Sequence, residues 1–369
     1  MGLQELRDGI DEIDEKILNL FLERMELCKG VADYKKANGL PVFQGGREKQ
    51  VIDRIRALTG DKELENGTAA LFTSIMDISK SLQSRKIVKD SSSYTFTEPN
   101  FASASAIACQ GISGANSETA ARELFGEKKL CFMRTFEDVF KAVERGEVQY
   151  GVVPIHNSTA GSVAAVYDLM GKYSVYIVKT LCLDINHCLA AKTELSVGEI
   201  ECVCSHPQAL AQCSEFISHD RLRTADYGNT AMAADYVAKS DKKLAAICSP
   251  ECAARHGLKV IAEDIADSPL NRTQFICISR ELQVMPGANT ISVMLKIPHT
   301  EGSLYRLLGK FMISGMNLCK IESRPVKDGS FDVMFYLDFN GNISDNEVRL
   351  LLNDMANNLE YFRFLGNFN

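Results

Sequence analysis

Two basic residues within one apolar helical pattern are the first candidates for chemistry in this sequence. Apolar residues recur at alternating spacings of four and three, which predicts a long helix with a heptad-type stripe. Arg24 interrupts that stripe, and an unpaired guanidinium is costly to bury, so Arg24 needs an anionic partner. The stripe positions are Leu6, Ile10, Ile13, Ile17, Leu20, Arg24, Leu27, Val31 and Tyr34.

A second base on the same helix extends the argument. Lys35 follows Arg24 by three helical turns, so both side chains project from nearly the same face, about 16 Å apart. Two readings stay open: Arg24 fixes the register of a coiled coil, or the two bases bracket an anionic metabolite. Arg7 lies about 25 Å from Arg24 along this helix, so it reaches the same ligand only from another chain or another helix.

Neutral polar loops form the second group of candidates. Several apolar runs predict strands of an α/β fold with a largely parallel sheet, in which ligands bind beyond the carboxyl ends of the strands. The loops GISGANSE, PIHNSTAGSV and SHPQALAQ follow three of these strands and suit a polyanionic, hydroxylated small molecule. GISGANSE turns into a helix and predicts an anion site, but its G-x-x-G spacing is not that of a dinucleotide fingerprint. The predicted strands are AIACQ, VQYGVVPI, VYIVKTL, NHCLAA, ECVCS, KLAAIC and TQFICIS.

Three regions position these residues. A helical region, residues 1–89, contains three predicted helices that cannot close a compact core alone, so we expect a helical homodimer. A Ser- and Thr-rich linker, 90–104, leads to the α/β region, 105–282. The ferredoxin-like region, 289–369, reads β-α-β-β-α-β and contains no evident nucleophile with its base, which favours a binding or regulatory role.

Composition limits the functional classes. The 369 residues carry a net charge of -7, without the basic stripe typical of nucleic-acid binding. The start is polar, no apolar run has the length of a membrane span, and the 12 cysteines are scattered, so we expect a cytoplasmic protein with reduced thiols. Cys202, Cys204 and His206 share one face of a predicted strand; no second ligand pair lies nearby, which favours packing over a metal site. We expect no metal and no cofactor.

Several motifs together resemble one family. GVVPIHNSTAGSV, SHPQALAQC and NRTQF in the α/β region, with GSLY at 302–305 and IESRP at 321–325, are similar to the bifunctional chorismate mutase–prephenate dehydratases of phenylalanine biosynthesis. The resemblance implies an AroQ-type all-α mutase dimer, a two-lobed periplasmic-binding-like α/β dehydratase domain and an ACT domain. It implies isomerase and lyase activities in aromatic amino acid biosynthesis, downstream of the shikimate pathway.

The resemblance assigns roles in the helical region. Arg7 of the partner chain, Arg24, Arg47 and Glu48 would hold chorismate, together with Ser79. Lys35 and Gln83 would donate to the ether oxygen of chorismate, where charge builds during the rearrangement to prephenate. Gln44 stands where an aspartate is common, and it retains the ability to bond a hydroxyl.

The α/β region departs from the family pattern at two positions. The resemblance assigns Thr273 to the departure of the ring hydroxyl of prephenate, with Asn157, Ser158, Ser205 and Gln212 around the substrate. His156 replaces the glutamate of P-I-E-N-S, and Gln274 replaces the arginine of T-R-F. The two changes either compensate each other in charge or impair the dehydratase, leaving a mutase with a vestigial domain that senses an amino acid. His156 could also serve as a proton donor near neutral pH.

For the ferredoxin-like region, the resemblance implies feedback by phenylalanine bound between paired ACT domains, in a homodimer or tetramer. The residues assigned to the effector are Gly302, Ser303, Leu304, Asn317, Glu322 and Ser323. The competing hypothesis is a non-catalytic amino-acid sensor whose helices only dimerise. A pure dimerisation helix has no use for Arg24, Lys35, Arg47 and Gln83 together, so consumption of chorismate separates the two hypotheses.

Overall fold

The computed structural model describes residues 2–42, 45–87, 94–326 and 332–369. The chain divides into two compact units, each built from two segments. One unit contains Met1–Thr95 and Asn289–Phe364, so the helical and ferredoxin-like regions belong together. The other contains Phe96–Ala288 and Leu365–Asn369, which is essentially the α/β region.

Three helices make up the described helical region. They are α1 (Leu3–Ala37), α2 (Gly45–Leu58) and α3 (Glu65–Ile87). The carboxylate of Glu5 accepts the backbone N–H of Gly2 at 2.7 Å, which satisfies one of the unpaired donors at the start of α1. No proline interrupts the next 35 residues, and the predicted long helix is confirmed.

The face of α1 that packs within the chain is not the predicted stripe. Met25, Ala32 and Lys35 are the buried residues of α1, and α1 packs on α3. The eight apolar residues of the stripe are instead 45–71% exposed. Arg24 lies between the two faces and is half-buried. The stripe therefore lies outside the core of the single chain, and its pairing in the expected helical homodimer stays a prediction.

The α/β region contains two sheets rather than one largely parallel sheet. Its first part comprises β1 (Ile107–Gln110), α4 (Asn116–Phe125), β2 (Leu130–Met133), α5 (Phe136–Glu144), β3 (Tyr150–Asn157), β4 (Gly161–Ser162), α6 (Ala164–Lys172) and β5 (Tyr176–Asp184). Its second part comprises β6 (Cys188–Ala191), β7 (Cys202–Ser205), α7 (Pro207–Ala211), α8 (Ser214–His219), β8 (Thr224–Asp226), α9 (Thr230–Lys239), β9 (Leu244–Cys248), α10 (Pro250–Arg255), β10 (Lys259–Ala262) and β11 (Arg272–Ser279).

Both sheets mix parallel and antiparallel pairs. In the first, the order β5-β11-β3-β1-β2 places the antiparallel strand β11 between β5 and β3. In the second, the order is β10-β6-β9-β7-β8, with β6 antiparallel to both of its neighbours. Buried apolar side chains such as Ile107 and Phe275 pack beneath the first sheet, and Leu189 and Ile247 beneath the second. Two sheets agree with the predicted two-lobed architecture; its likeness to periplasmic binding proteins stays a prediction.

The ferredoxin-like region has the predicted element order. It contains β12 (Thr290–Lys296), α11 (Ser303–Ile313), β13 (Leu318–Pro325), β14 (Val333–Asn340), α12 (Asn346–Asn358) and β15 (Tyr361–Phe368). The strands follow the order β13-β14-β12-β15, and β12 and β13 both run antiparallel to β14. Gly302, immediately before α11, has a φ of +73°, a conformation that glycine adopts without a steric cost.

Two searches of the described residues bear on function. None of the helices found there combines the length and the apolar character needed to cross a lipid bilayer. Within the same ranges, no three His, Cys, Asp or Glu side chains come close enough together to hold a metal ion.

Candidate active sites

The first site lies between α1 and α3 in the helical region. Lys35 is buried, and its Nζ donates to the Val42 carbonyl at 2.7 Å and to Gln83 Oε1 at 3.1 Å. Gln83 is buried too, and its Nε2 donates to Ser79 Oγ at 3.1 Å. These contacts leave one N–H of the ammonium and one N–H of the amide for a ligand. The structure thus brings together the two residues predicted as donors.

The charge of Lys35 depends on two opposing effects. Burial lowers the pKa of its ammonium, and the nearby Glu48 carboxylate raises it in part. Glu48 is itself held by Lys80, whose Nζ lies 3.0 Å from Glu48 Oε1. We call Lys35, Glu48, Ser79 and Gln83 the helical-region cluster.

The other residues predicted for the mutase site are not members of this cluster. Arg24 is half-buried on α1, with Nη1 3.8 Å from Cys28 Sγ. Arg47 is exposed near the start of α2. Arg7 is exposed near the start of α1 and is far from Arg24 in the same chain, as predicted. Gln44 lies outside the described residues.

The second site is a closed ring of hydrogen bonds in the α/β region. Asn157 Nδ2 donates to Asn271 Oδ1 at 2.8 Å, and Asn271 Nδ2 donates to Gln212 Oε1 at 3.0 Å. Gln212 Nε2 donates to Thr159 Oγ1 at 2.6 Å, and the Thr159 hydroxyl donates to Asn157 Oδ1 at 2.8 Å. We call Asn157, Thr159, Gln212 and Asn271 the amide ring. It connects the ends of β3 and α7 with the loop before β11.

The direction of the amide ring is set by the backbone. The N–H groups of Thr159 and Ala160 donate to the same side-chain atom of Asn157, at 3.1 and 2.9 Å, and a backbone N–H only donates. That atom is therefore the oxygen, and the NH2 group of Asn157 faces Thr273 Oγ1 at 2.9 Å. Because Thr273 Oγ1 accepts this bond, its own hydroxyl proton remains available for donation to another group.

Three residues of this site were missed in the sequence. Asn271 and Thr159 are members of the amide ring, and His187 Nε2 lies 3.0 Å from Gln212 Oε1. Burial lowers the pKa of His187, and the hydrogen bond to Gln212 opposes this in part. A neutral imidazole with its proton on Nε2 fits the acceptor oxygen of Gln212. Signals existed for two of them: Asn271 opens the NRTQF motif, and His187 is the polar residue beside the apolar run CLAA.

Two residues predicted to bind the substrate, Ser158 and Ser205, are not members of the amide ring. Ser158 Oγ donates to the Leu270 carbonyl at 3.2 Å and accepts the N–H of Arg272 at 2.9 Å, so it joins the two loops. Ser205, at the end of β7, is fully buried, and its hydroxyl donates to the Ile247 carbonyl at 2.7 Å. Ser205 therefore supports the second sheet at the start of α7 rather than joining the ring.

The two departures from the family pattern face each other. His156 on β3 pairs with Gln274 on β11 in the antiparallel register, one position from the pair Asn157–Thr273. Successive side chains of a strand point to opposite faces of the sheet, so the two pairs occupy opposite faces. This register supports mutual compensation of the two changes. It argues against His156 as the proton donor, because Thr273 presents its hydroxyl on the other face.

The glycine-rich loop before α4 does not offer the predicted anion site. Glu118 is buried, and its Oε2 accepts the backbone N–H of Gly114 at 2.6 Å. Burial tends to raise the pKa of Glu118, but this N–H and the guanidinium groups of Arg122 and Arg255 lower it overall. The anion at this helix start is thus a carboxylate of the chain itself.

The cysteine and histidine pattern on β7 serves packing and capping. Cys204 is buried, and burial raises its pKa to about 11. His206 Nδ1 accepts the backbone N–H of Gln208 at 3.2 Å and caps α7.

The residues predicted for an effector occupy two elements of the ferredoxin-like region. Gly302, Ser303 and Leu304 form the start of α11, where Ser303 Oγ lies 2.8 Å from Thr300 Oγ1. Asn317 is exposed just before the edge strand β13, and Glu322 and Ser323 lie on that strand.

Comparison with known proteins covers both sites. The family model "Chorismate mutase type II" matches residues 6–84, and "Prephenate dehydratase" matches residues 107–283. The chain is 30% identical to the bifunctional chorismate mutase/prephenate dehydratase of Aquifex aeolicus, over 99% of this chain and 97% of the relative. It belongs to that family. The bifunctional chorismate mutase/prephenate dehydratase of Enterobacter agglomerans is 31% identical, over 99% of this chain and 95% of the relative.

A solved structure also resembles a large part of this chain. It is the prephenate dehydratase of Arthrobacter aurescens in complex with L-Phe, 29% identical, with a TM-score of 0.66. The match covers 71% of this chain and 89% of that chain. The helical-region cluster thus lies within the mutase match of this chain, and all four residues of the amide ring lie within the dehydratase match.

Proposed function

We propose that this chain catalyses two consecutive steps of phenylalanine biosynthesis, the rearrangement of chorismate to prephenate and the conversion of prephenate to phenylpyruvate. The observation that carries this proposal is the presence of two separate, internally hydrogen-bonded polar sites. One contains a buried ammonium, and the other contains a hydroxyl that accepts a hydrogen bond from Asn157 and keeps its own proton for donation. Each site suits one of the two reactions.

The helical-region cluster suits the mutase reaction. In chorismate, an ether C–O bond breaks while a C–C bond forms, and no proton is transferred, so neither a nucleophile nor a base is needed. The enzyme must hold the reactive conformer and stabilise the negative charge on the ether oxygen. The remaining N–H donors of Lys35 and Gln83 would do the latter, and Arg24 would hold a carboxylate of the substrate. Glu48 and Arg47 would hold the hydroxyl end.

The amide ring suits the dehydratase reaction. In prephenate, the bond to the ring carboxylate breaks to release carbon dioxide, its electron pair aromatises the ring, and the ring hydroxyl leaves with one proton as water. Thr273 would supply the hydrogen bond or proton to that leaving group. Asn157 fixes the direction of the Thr273 hydroxyl, so the ring acts by orienting the donor. Gln212 is tied into the same ring, where it can contact the substrate.

One experiment tests both activities. The full chain is incubated with chorismate, and loss of chorismate and release of phenylpyruvate are followed separately. A second reaction starts from prephenate. Consumption of chorismate without release of phenylpyruvate from prephenate would leave a mutase with a vestigial second site, in which His156 and Gln274 have impaired the chemistry. Failure to consume chorismate would favour the non-catalytic sensor.

The exposed stripe of α1 supports a homodimer. Its eight apolar side chains are exposed on a helix that packs on α3 through a neighbouring face, and a second copy of α1 would cover them. The same pairing would bring Arg7 of one chain toward the helical-region cluster of its partner. Light scattering on the full chain tests the dimer and separates it from a tetramer. A monomer at micromolar concentration would contradict this proposal.

Phenylalanine is the proposed effector. The matching Arthrobacter structure contains L-Phe, and the start of α11 offers backbone N–H groups for a carboxylate. A ligand that binds only the folded chain raises its melting temperature. Phenylalanine that changes neither the melting temperature nor either activity would contradict an ACT-type role. A cytoplasmic location stays a prediction.

A further inference from the structure

Four charged side chains form a cluster that links the helical region to the ferredoxin-like region. Lys80 Nζ lies 3.0 Å from Glu48 Oε1 and 2.8 Å from Asp77 Oδ1. Arg306, on α11, places Nη2 3.3 Å from both Glu48 Oε2 and Asp77 Oδ1. The side chains of Glu48, Asp77 and Lys80 are only 17–18% exposed, so solvent screens the contacts of Lys80 less than at an open surface; Arg306 is 41% exposed, and its contacts are screened more. The two acids and two bases balance each other.

This four-charge cluster shares Glu48 with the proposed mutase site. Burial lowers the pKa of Lys35, and the Glu48 carboxylate raises it in part. The position of Glu48 therefore affects the charge of the ammonium that would face the substrate. Both oxygens of Glu48 are engaged by cations, Lys80 from α3 and Arg306 from α11. Without Arg306, Glu48 and Asp77 would compete for Lys80 alone.

A cleft joins the same residues to the proposed effector site. It is lined on one side by Val42, Asp77 and Lys80, and on the other by Ser303 and Arg306. Val42 supplies the carbonyl that accepts from Lys35. Arg306 lies on the first turn of α11, where its N–H donates to the Gly302 carbonyl at 2.9 Å, so displacement of that turn moves Arg306 with it.

We propose that Arg306 is a positioning residue of the mutase site, which holds Glu48 in place and makes mutase activity responsive to a ligand at the start of α11. The part concerning the ligand rests on the proposed effector function. Binding of phenylalanine beside Ser303 shifts the guanidinium relative to Glu48 and Asp77, and the altered carboxylate changes the affinity for chorismate. The dehydratase site does not depend on this contact.

The alternative is that Arg306 only fastens two regions together. A second ion pair provides the matched control, because Arg85 Nη2 on α3 lies 2.7 Å from Glu347 Oε2 on α12. Glu347→Gln removes a contact of the same kind without touching Glu48. Arg306→Gln removes the contact with Glu48, and Arg306→Lys retains a cation there.

The experiment measures mutase and dehydratase kinetics of the full chain and these three variants, with and without phenylalanine, and phenylalanine binding by calorimetry. Arg306→Gln should raise the KM for chorismate roughly two- to fivefold, the scale of one partly exposed ion pair, with a smaller change in kcat. It should also abolish the effect of phenylalanine on the mutase while the effect on the dehydratase and the binding of phenylalanine remain. Arg306→Lys should recover part of the KM, and Glu347→Gln should behave as the wild type.

Several outcomes would overturn the proposal. One is a wild-type KM and a wild-type response to phenylalanine in Arg306→Gln, and another is equal changes in Arg306→Gln and Glu347→Gln. A wild-type mutase that ignores phenylalanine, although the dehydratase responds, would refute the link to the effector. If phenylalanine does not bind at all, the proposed effector function fails, and the KM of Arg306→Gln still decides whether Arg306 positions Glu48.

Discussion

Thr273→Val should abolish most of the dehydratase activity while leaving the protein folded. The hydroxyl of Thr273 accepts one hydrogen bond, from Asn157 Nδ2 at 2.9 Å. Valine keeps nearly the same shape, and Asn157 Nδ2 retains its acceptors on Asn271 and Arg272. The stability loss is therefore that of one partly compensated hydrogen bond, about 1 kcal/mol. For a unit of this size, that lowers the melting temperature by about 2–4 °C.

The effect on catalysis should be far larger than the effect on stability. A positioned proton donor contributes roughly a hundred- to ten-thousandfold to rate, so kcat for prephenate should fall by that factor. The corresponding increase in the activation barrier is about 3–5 kcal/mol. Thr273→Ser retains a hydroxyl that Asn157 can reach, and it should keep a much larger part of the activity.

The assay uses the second activity of the same chain as its control. Phenylpyruvate release from prephenate and loss of chorismate are measured on one preparation of each variant, together with the melting temperature. We expect wild-type mutase rates in both variants. A Thr273→Val enzyme that keeps more than about a tenth of the dehydratase kcat would refute the role of Thr273 as the donor. Equal loss of both activities would indicate unfolding instead.

Further predictions concern the other sites. Lys35→Ala should lower mutase kcat at least about a hundredfold and leave the release of phenylpyruvate from added prephenate unchanged. Because burial lowers the pKa of Lys35 and the mutase needs the ammonium, wild-type mutase kcat/KM should fall with rising pH before an ordinary lysine titrates; a flat pH–rate profile would count against this. The pKa of His187 is lowered in the folded state. Below about pH 6.5, the unfolded chain therefore binds more protons at His187 than the folded chain does, and the stability that the neutral imidazole contributes is lost as pH falls. The difference in melting temperature between the wild type and His187→Gln should therefore shrink from pH 8 to pH 5, whereas a constant difference would contradict it. At Gly366, an added Cβ would lie 2.2 Å from the Ile177 carbonyl oxygen, so Gly366→Ala should destabilise the chain by about 1–3 kcal/mol, measured by denaturant unfolding.

Periodicity was enough to predict elements but not the surfaces they bury. The spacing from Leu6 to Tyr34 and the absence of proline predicted α1 correctly. The same spacing did not reveal that Met25 and Ala32 pack on α3 while the stripe stays exposed, because that choice depends on the neighbouring helix. In the α/β region, a buried strand has the same continuous apolar sequence whether its neighbour is parallel or antiparallel. The mixed sheets therefore could not be predicted.

The residues of the candidate sites were likewise predicted only in part. Lys35 and Gln83 were predicted, and they meet across α1 and α3. The amide ring was found only in part, because its members come from distant segments and carry no charge. At Glu118, the sequence predicted a site that the structure does not offer. GISGANSE has the pattern of an anion site, but the carboxylate of Glu118 itself accepts the backbone N–H of Gly114. The sequence pattern does not show which anion, a ligand or the side chain, occupies this position.

The amide ring also makes one activity sensitive to chemical ageing. Each of its three amides, Asn157, Gln212 and Asn271, donates through nitrogen and accepts through oxygen in a single direction around the ring. Deamidation replaces an NH2 donor by a carboxylate oxygen that only accepts. At Asn157, the Thr273 hydroxyl would then turn toward the new carboxylate and withdraw its proton from the substrate. On prolonged heating, the protein should thus lose dehydratase activity by hydrolysis of an amide before it unfolds, while the mutase of the same molecules still turns over.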